Sequence, residues 1–142
     1  MRKMTPKGVV FSMLGYLKRY CVLFLVGGAG YVAIEYLYRG KSHASMFLAG
    51  GLCVVLIRII CGRIRSRLIR IVTGGAIISL VELLFGVVFN LWLGMGVWDY
   101  SDMPLNILGQ VCPYFSIAWA FLSIPALWVG NIVCGRHKLY KK

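Results

Sequence analysis

The sequence predicts an all-α integral membrane protein with four transmembrane helices and a short re-entrant or interfacial helix between the third and fourth. Three observations predict it. Of 142 residues 60% are hydrophobic and only four are acidic, with a mean hydropathy of +0.81, too little polar surface to cover a soluble core. Four apolar stretches, each long enough to cross about 30 Å of hydrocarbon as a helix, use nearly the whole length. The basic residues, which give a net charge of +12, fall in clusters between those stretches, as a topology signal does.

The first span is expected over 20–38, after the basic group Arg2, Lys3, Lys7, Lys18 and Arg19. At about 19 residues it is too long for a signal-peptide core and is flanked by charge, so it reads as an uncleaved anchor. The others are expected over 45–61, 71–93 and 115–134, all in one domain, 1–142. Five of the sixteen Lys and Arg precede the first span, four lie in 63–70 and four follow Cys134, with Arg58 near the same side. Only Arg39 and Lys41 lie opposite, while the loop 94–114 has no base and carries Asp99 and Asp102. The positive-inside rule puts both termini in the cytoplasm of a multi-pass cell-membrane protein. So placed, the charge needs no nucleic acid partner.

The five cysteines, Cys21, Cys53, Cys61, Cys112 and Cys134, show neither a disulfide framework nor a metal-ligand spacing. No HExxH, GxSxG, Walker A or dinucleotide motif occurs, and His43 and His137 lie at opposite membrane edges. No cofactor, metal or catalytic nucleophile is implied.

An internal repeat aligns the first and third spans. Gly27-Gly28-Ala29, Glu35, Leu37 and Tyr38 match Gly74-Gly75-Ala76, Glu82, Leu84 and Phe85 at an offset of 47. The second and fourth spans end alike, in Ile60-Cys61-Gly62-Arg63 and Val133-Cys134-Gly135-Arg136, at an offset of 73, so 26 residues are inserted between the helices of the second pair. Two helices per unit would give both halves the same orientation about an axis along the membrane normal. The plain alternative is that paired glycines only let helices approach.

Glu82 is the sequence's main candidate for chemistry, because an ionisable residue in hydrocarbon must be paired, protonated or hydrated. At about 100° per residue Gly75, Ser79, Glu82, Gly86 and Asn90 share a stripe roughly 80° wide, which should face the bundle interior or a wet cavity. The competing reading is hydrogen-bonded glue between helices, with Glu82 paired to Arg58. Arg58 could instead snorkel to the surface. Glu35 has Arg39 four residues on, a favourable helix pair. In the insertion, Asp102 as cap, Pro104 in the first turn, Leu105, Leu108 and Cys112 at helical spacing and Pro113 as stop predict a short helix over 103–112. It would lid an outward-open cavity walled by the third and fourth spans, with Glu82 at its floor, able to exchange a proton or hold a cation.

Val81-Glu82-Leu83-Leu84-Phe85-Gly86, then Trp98-Asp99-Tyr100-Ser101, Pro104, Asn106, Gly109, Cys112, Phe115-Ser116 and Trp119 resemble the ABC-transporter type IV, or CmpB-like, family of small four-helix membrane proteins. The resemblance covers roughly 74–127. It implies a transport role and raises Glu82, Trp98, Asp99, Tyr100, Ser101, Pro104, Asn106 and Gly109 as the residues that would carry it. The expectation is a transport or permease-type subunit for a small solute or ion, with Glu82, Asn90, Trp98, Asp99, Tyr100 and Asn106 as substrate-binding residues. Its expected partners are membrane lipids, further copies of the chain and an ATPase subunit, though 62–70 offers an ATPase little surface. The alternative is a membrane-embedded enzyme or binding protein acting on a lipid or lipid-linked substrate.

Overall fold

Four helices follow one another with short connections except before the last. α1 spans Pro6–Arg39, α2 Ala44–Cys61, α3 Arg67–Phe85 and α4 Pro113–Cys134. The computed structural model describes residues 6–135, with side chains from 13 to 135. Arg2, Lys3, the Lys7 side chain, His137 and the basic group after Cys134 lie outside the described residues. All four helices are long and apolar enough to cross a membrane, so the chain is a multi-pass membrane protein. α1 begins at Pro6, well before the expected 20, and among the described residues its candidate span is Met13–Arg39.

Local chemistry sets the ends. The His43 ring accepts from the Ser45 N–H at 3.2 Å to cap α2, and the Ser66 hydroxyl accepts from the Ile69 N–H at 3.4 Å to cap α3. Pro113 opens α4, where its missing N–H costs nothing. α3 continues as a π-helix over Gly86–Trp92, a wider turn often found at functional sites.

α1 packs chiefly on α2 and α3 on α4; α2 also meets α3, α4 meets α1, and α2 and α4 touch along the centre. Small residues set these approaches, as they do where lipid removes the hydrophobic drive between helices. A Cβ on Gly27 would lie 2.7 Å from the Gly50 carbonyl oxygen, and one on Gly28 2.6 Å from that of Phe47. In the second pair Gly74 abuts Ser123, and a Cβ on Gly75 would lie 2.8 Å from the Ala120 Cα. The core between the pairs is built from Cys53, Ile57, Cys61, Ile77, Ile78, Val81 and Trp119. All five cysteines are free.

The segment 103–112 is not the expected helix. It runs as consecutive turns closed by a single bridge between Ile107 and Val111. Polar side chains take the backbone groups a helix would use. The Asn106 amide nitrogen donates to the carbonyls of Ser101 (3.1 Å) and Met103 (2.9 Å), and its oxygen accepts from the Gly109 N–H (2.9 Å). Leu105, Leu108 and Gly109 sit at positive φ, outside the right-handed helical region.

Candidate functional site

Glu82 lies inside α3, 5% exposed, facing the bundle as the stripe predicts. Its two oxygens are held by neutral donors. The Tyr100 hydroxyl donates to Oε1 at 3.0 Å, and the Trp119 indole N–H donates to Oε2 at 2.7 Å. One donor comes from the loop after α3 and the other from α4, so this carboxylate ties three parts of the second half together. Burial, and then the adjacent Glu82 carboxylate, push the Tyr100 hydroxyl well above its ordinary range, keeping it a donor.

The rest of the stripe serves the same contacts. Ser79 donates to the Ser116 hydroxyl of α4 at 2.9 Å. Gly86 leaves room for the Gln110 side chain. The Asn90 amide nitrogen donates to the Trp98 carbonyl (2.8 Å) and the Gln110 Oε1 (2.6 Å), while its oxygen accepts from the Val97 N–H (2.6 Å). The Trp98 indole donates to the Gln110 carbonyl at 3.0 Å. The π-helical turn carries Asn90, so the same turn that widens α3 seats the loop.

Aromatic rings roof the carboxylate. Tyr100 stacks on Phe115 with centroids 4.5 Å apart, Phe115 lies 6.2 Å from Trp119, and Trp119 lies 5.8 Å from Tyr31 of α1. The outward-open cavity expected over Glu82 is therefore closed. What remains is a void of about 10 Å³ bordered by Tyr31, Met46, Cys53, Glu82, Phe85 and Trp98, barely room for one water. Its walls are α1, α2 and α3, rather than α3 and α4, because Trp119 and Tyr100 fill the α4 side.

Of the residues singled out in the sequence, Glu82, Tyr100 and Trp98 come together, with Asn90 about two turns above. Asp99 and Asn106 do not join them. The exposed Asp99 accepts from the Ser101 N–H (2.9 Å) and hydroxyl (2.5 Å), bonds that hold its carboxyl below the usual range; Asn106 builds the turn. Arg58 corrects both expectations made for it. It neither meets Glu82 nor snorkels, but is buried at 8% exposure and donates to Asn131 Oδ1 (3.1 Å) and the Gly135 carbonyl (2.6 Å). The α4 C-terminal carbonyls favour a cation, and Gly130 clears the way for its stem. Glu35 pairs with Arg39 as expected and accepts from the Ser42 hydroxyl at 2.6 Å, while Arg39 also donates to the Val97 carbonyl at 2.8 Å.

Periodicity along one helix cannot identify Tyr31 and Gln110, which reach the site from α1 and the far end of the loop. Trp119 was visible only through the family resemblance. No group of three or more His, Cys, Asp or Glu gathers among the described residues. The arrangement holds one carboxylate between an indole of α4 and a phenol of the loop.

A family model described as "Putative ABC-transporter type IV" matches residues 9–141. No curated protein and no solved structure matches the chain.

Proposed function

We propose that this chain, which belongs to the ABC-transporter type IV family, is a permease-type subunit that passes a small solute or ion by way of Glu82. The observation carrying this reading is a carboxylate inside a membrane span that, among the described residues, binds only neutral donors, one of them on a loop beyond the span. A structural carboxylate in hydrocarbon is cheapest when paired with a cation. One left with neutral partners, under a loop that can lift, is suited to accepting a proton or cation from one side. Trp98, Tyr100 and Asn90 would meet the solute once the loop lifts; Asp99 and Asn106 would act from its outer face.

Packing register supports two like-oriented two-helix units. Gly27 lies against Gly50 and Gly28 against Phe47. Moving α1 by 47 residues and α2 by 73 turns these pairs into Gly74 against Ser123 and Gly75 against Ala120, the contacts of the second half. Arg58 bonds Asn131, its own counterpart at 73, as elements facing each other across a shared axis would. Two helices per unit keep both halves in the same orientation, with the axis along the membrane normal.

Lys18, Arg19, Arg63, Arg65, Arg67 and Arg70 share one end of the bundle, which supports cytoplasmic termini. In a background without natural cysteines, an impermeant reagent should label a cysteine at Ser101 from outside and one at Ser66 only after permeabilisation; the reverse pattern would invert the orientation. Four spans form a narrow bundle, so a pathway would need further copies of the chain. The family name suggests an ATPase partner, for which the short α2–α3 turn leaves only a small docking surface.

The transport reading is tested in intact cells producing the parent or Glu82→Gln at equal levels. Small-molecule contents by mass spectrometry and ion contents by elemental analysis should differ between them for at least one solute. Identical contents would remove the transport reading. The substitution is suitable because a Gln oxygen can still accept from Trp119, a donor only, while its NH₂ donates to the Tyr100 hydroxyl, which can also accept. The charge goes while both bonds remain.

A further inference from the structure

We propose that an open cleft between α1 and α4 holds one acyl chain of an anionic phospholipid from the leaflet on the basic side, with the lipid phosphate against Arg19. The cleft has a volume of about 190 Å³ and is bordered by Val26, Gly30 and Ile34 of α1 and by Leu122, Pro125 and Val129 of α4, with Cys53 and Ile57 of α2 behind. Tyr31 and Trp119, whose ring centroids lie 5.8 Å apart, also border it. Both walls are membrane spans, so the medium at its mouth is hydrocarbon.

The cleft exists because one side chain is missing. Gly30 corresponds, at the offset of 47, to Ile77 of α3. Ile77 is buried in the core cluster with Ile57 of α2 and helps fill the α2–α3 junction, which is the counterpart of the α1–α4 junction. A Cβ added at Gly30 would meet nothing within 4 Å. No close helix approach explains that glycine, unlike Gly27 and Gly28 beside it. Pro125, also on the cleft, lacks the N–H that would bond back within α4. The space exceeds the roughly 150 Å³ of an apolar cavity that stays dry and takes an organic guest. It is too small for a helix about 10 Å across, which disfavours a second copy as its occupant.

Charge at the foot of the cleft selects the lipid. Arg19 precedes Val26 by seven residues and Gly30 by eleven, which puts each of them within about 20° of Arg19 on α1. Arg19 therefore lies on the line of the cleft, about 10 Å below Val26. Its exposed guanidinium crosses to α4, where it donates to the Cys134 carbonyl at 3.3 Å, and exposed Lys18 adjoins it. A chain lying between Val26 and Val129 brings a headgroup to this bridge, where a phosphate matches guanidinium geometry. Anionic lipid on the basic side is the complement of a protein with net charge +12.

The test uses the full chain, purified in detergent and titrated by native mass spectrometry with phosphatidylglycerol or phosphatidylcholine carrying the same palmitoyl and oleoyl chains. The expected result is a first site that prefers phosphatidylglycerol. Arg19→Ala should weaken phosphatidylglycerol about fivefold, the effect of one basic residue at a charged membrane surface, and weaken phosphatidylcholine less, because its own choline cation offsets the phosphate charge. Gly30→Ile, which installs the counterpart residue, should remove the first site for both lipids without lowering Tm; Gly30→Ala should weaken it with the fold intact. Undiminished binding by the folded Gly30→Ile variant would overturn the proposal, as would a headgroup preference that survives Arg19→Ala. Loss of a dimer in Gly30→Ile would also overturn it, assigning the cleft to a second copy.

Discussion

Glu35 and Glu82 hold matching places in the two helix pairs, 47 residues apart, and are satisfied in opposite ways. Glu35 pairs with Arg39 one turn on and takes a hydroxyl from Ser42. Among the described residues Glu82 has no cation against it; an indole and a phenol supply its bonds. The connection after each pair's first helix accounts for the difference. After α1 it is a few residues long and ends in Ser42 and His43, so Glu35 is served at the bundle's edge. After α3 the inserted loop folds back far enough to drop Tyr100 onto a carboxylate within the span. Similar helices thus carry an ion pair in one half and a carboxylate held by neutral donors in the other.

Removing each carboxylate should break the comparison most clearly. Glu82→Leu leaves the Trp119 N–H and Tyr100 hydroxyl without acceptors, at about 1–3 kcal/mol each. Glu35→Leu also removes a largely buried carboxylate, but it leaves the part-exposed Arg39 guanidinium its bond to the Val97 carbonyl, so a smaller loss of about 1 kcal/mol is expected. Thermal unfolding in detergent should therefore show the Glu82 variant several degrees below the Glu35 variant. Equal losses would mean that the loop's bonds to Glu82 contribute nothing.

The glycine contacts should behave alike where the carboxylates differ. Gly28→Ala and Gly75→Ala each push a methyl into backbone across a helix pair, and overpacking of this kind costs about 1–3 kcal/mol. Similar shifts in Tm would sharpen the equivalence of the two pairs; a loss in only one would end it. Tyr100→Phe keeps the ring on Phe115 and removes one hydrogen bond, about 1 kcal/mol. Its readout is faster amide exchange over 97–112, with exchange in α1 and α2 unchanged. Asp99→Asn should move Tm least, within about 0.5 kcal/mol, because that side chain is exposed and bonded only within its own turn.

The four spans were legible because bilayer thickness sets the length of any segment that crosses it, and the period of α3 placed Glu82 and Asn90 inward. The loop was misread for a reason contained in the same residues. Leu105, Leu108 and Cys112 have helical spacing, but Asn106 and Asp99 can satisfy backbone groups themselves, and they win where no packing face rewards a helix. Arg58 was missed as a buried anchor because its partners, Asn131 and the Gly135 carbonyl, lie 73 and 77 residues away, beyond any periodicity. Tyr31 and Gln110 escaped for the same reason.

The loop's internal stitching has a mechanical consequence. Asn106, Asp99 and Gln110 fasten it to itself, whereas its hold on the helices rests on a few side chains, chiefly Tyr100 with Glu82, Asn90 with 97 and 98, and Arg39 with 97. Between α3 and the stitched part lie Gly94 and Gly96, both at positive φ with open space where a Cβ would stand. Those two glycines are where the backbone can turn at least steric cost, and the part beyond them is cross-linked by its own side chains. Displacement would then be a single rigid swing with two end states rather than gradual fraying, and its frequency would fall in the microsecond-to-millisecond range of hinged segments.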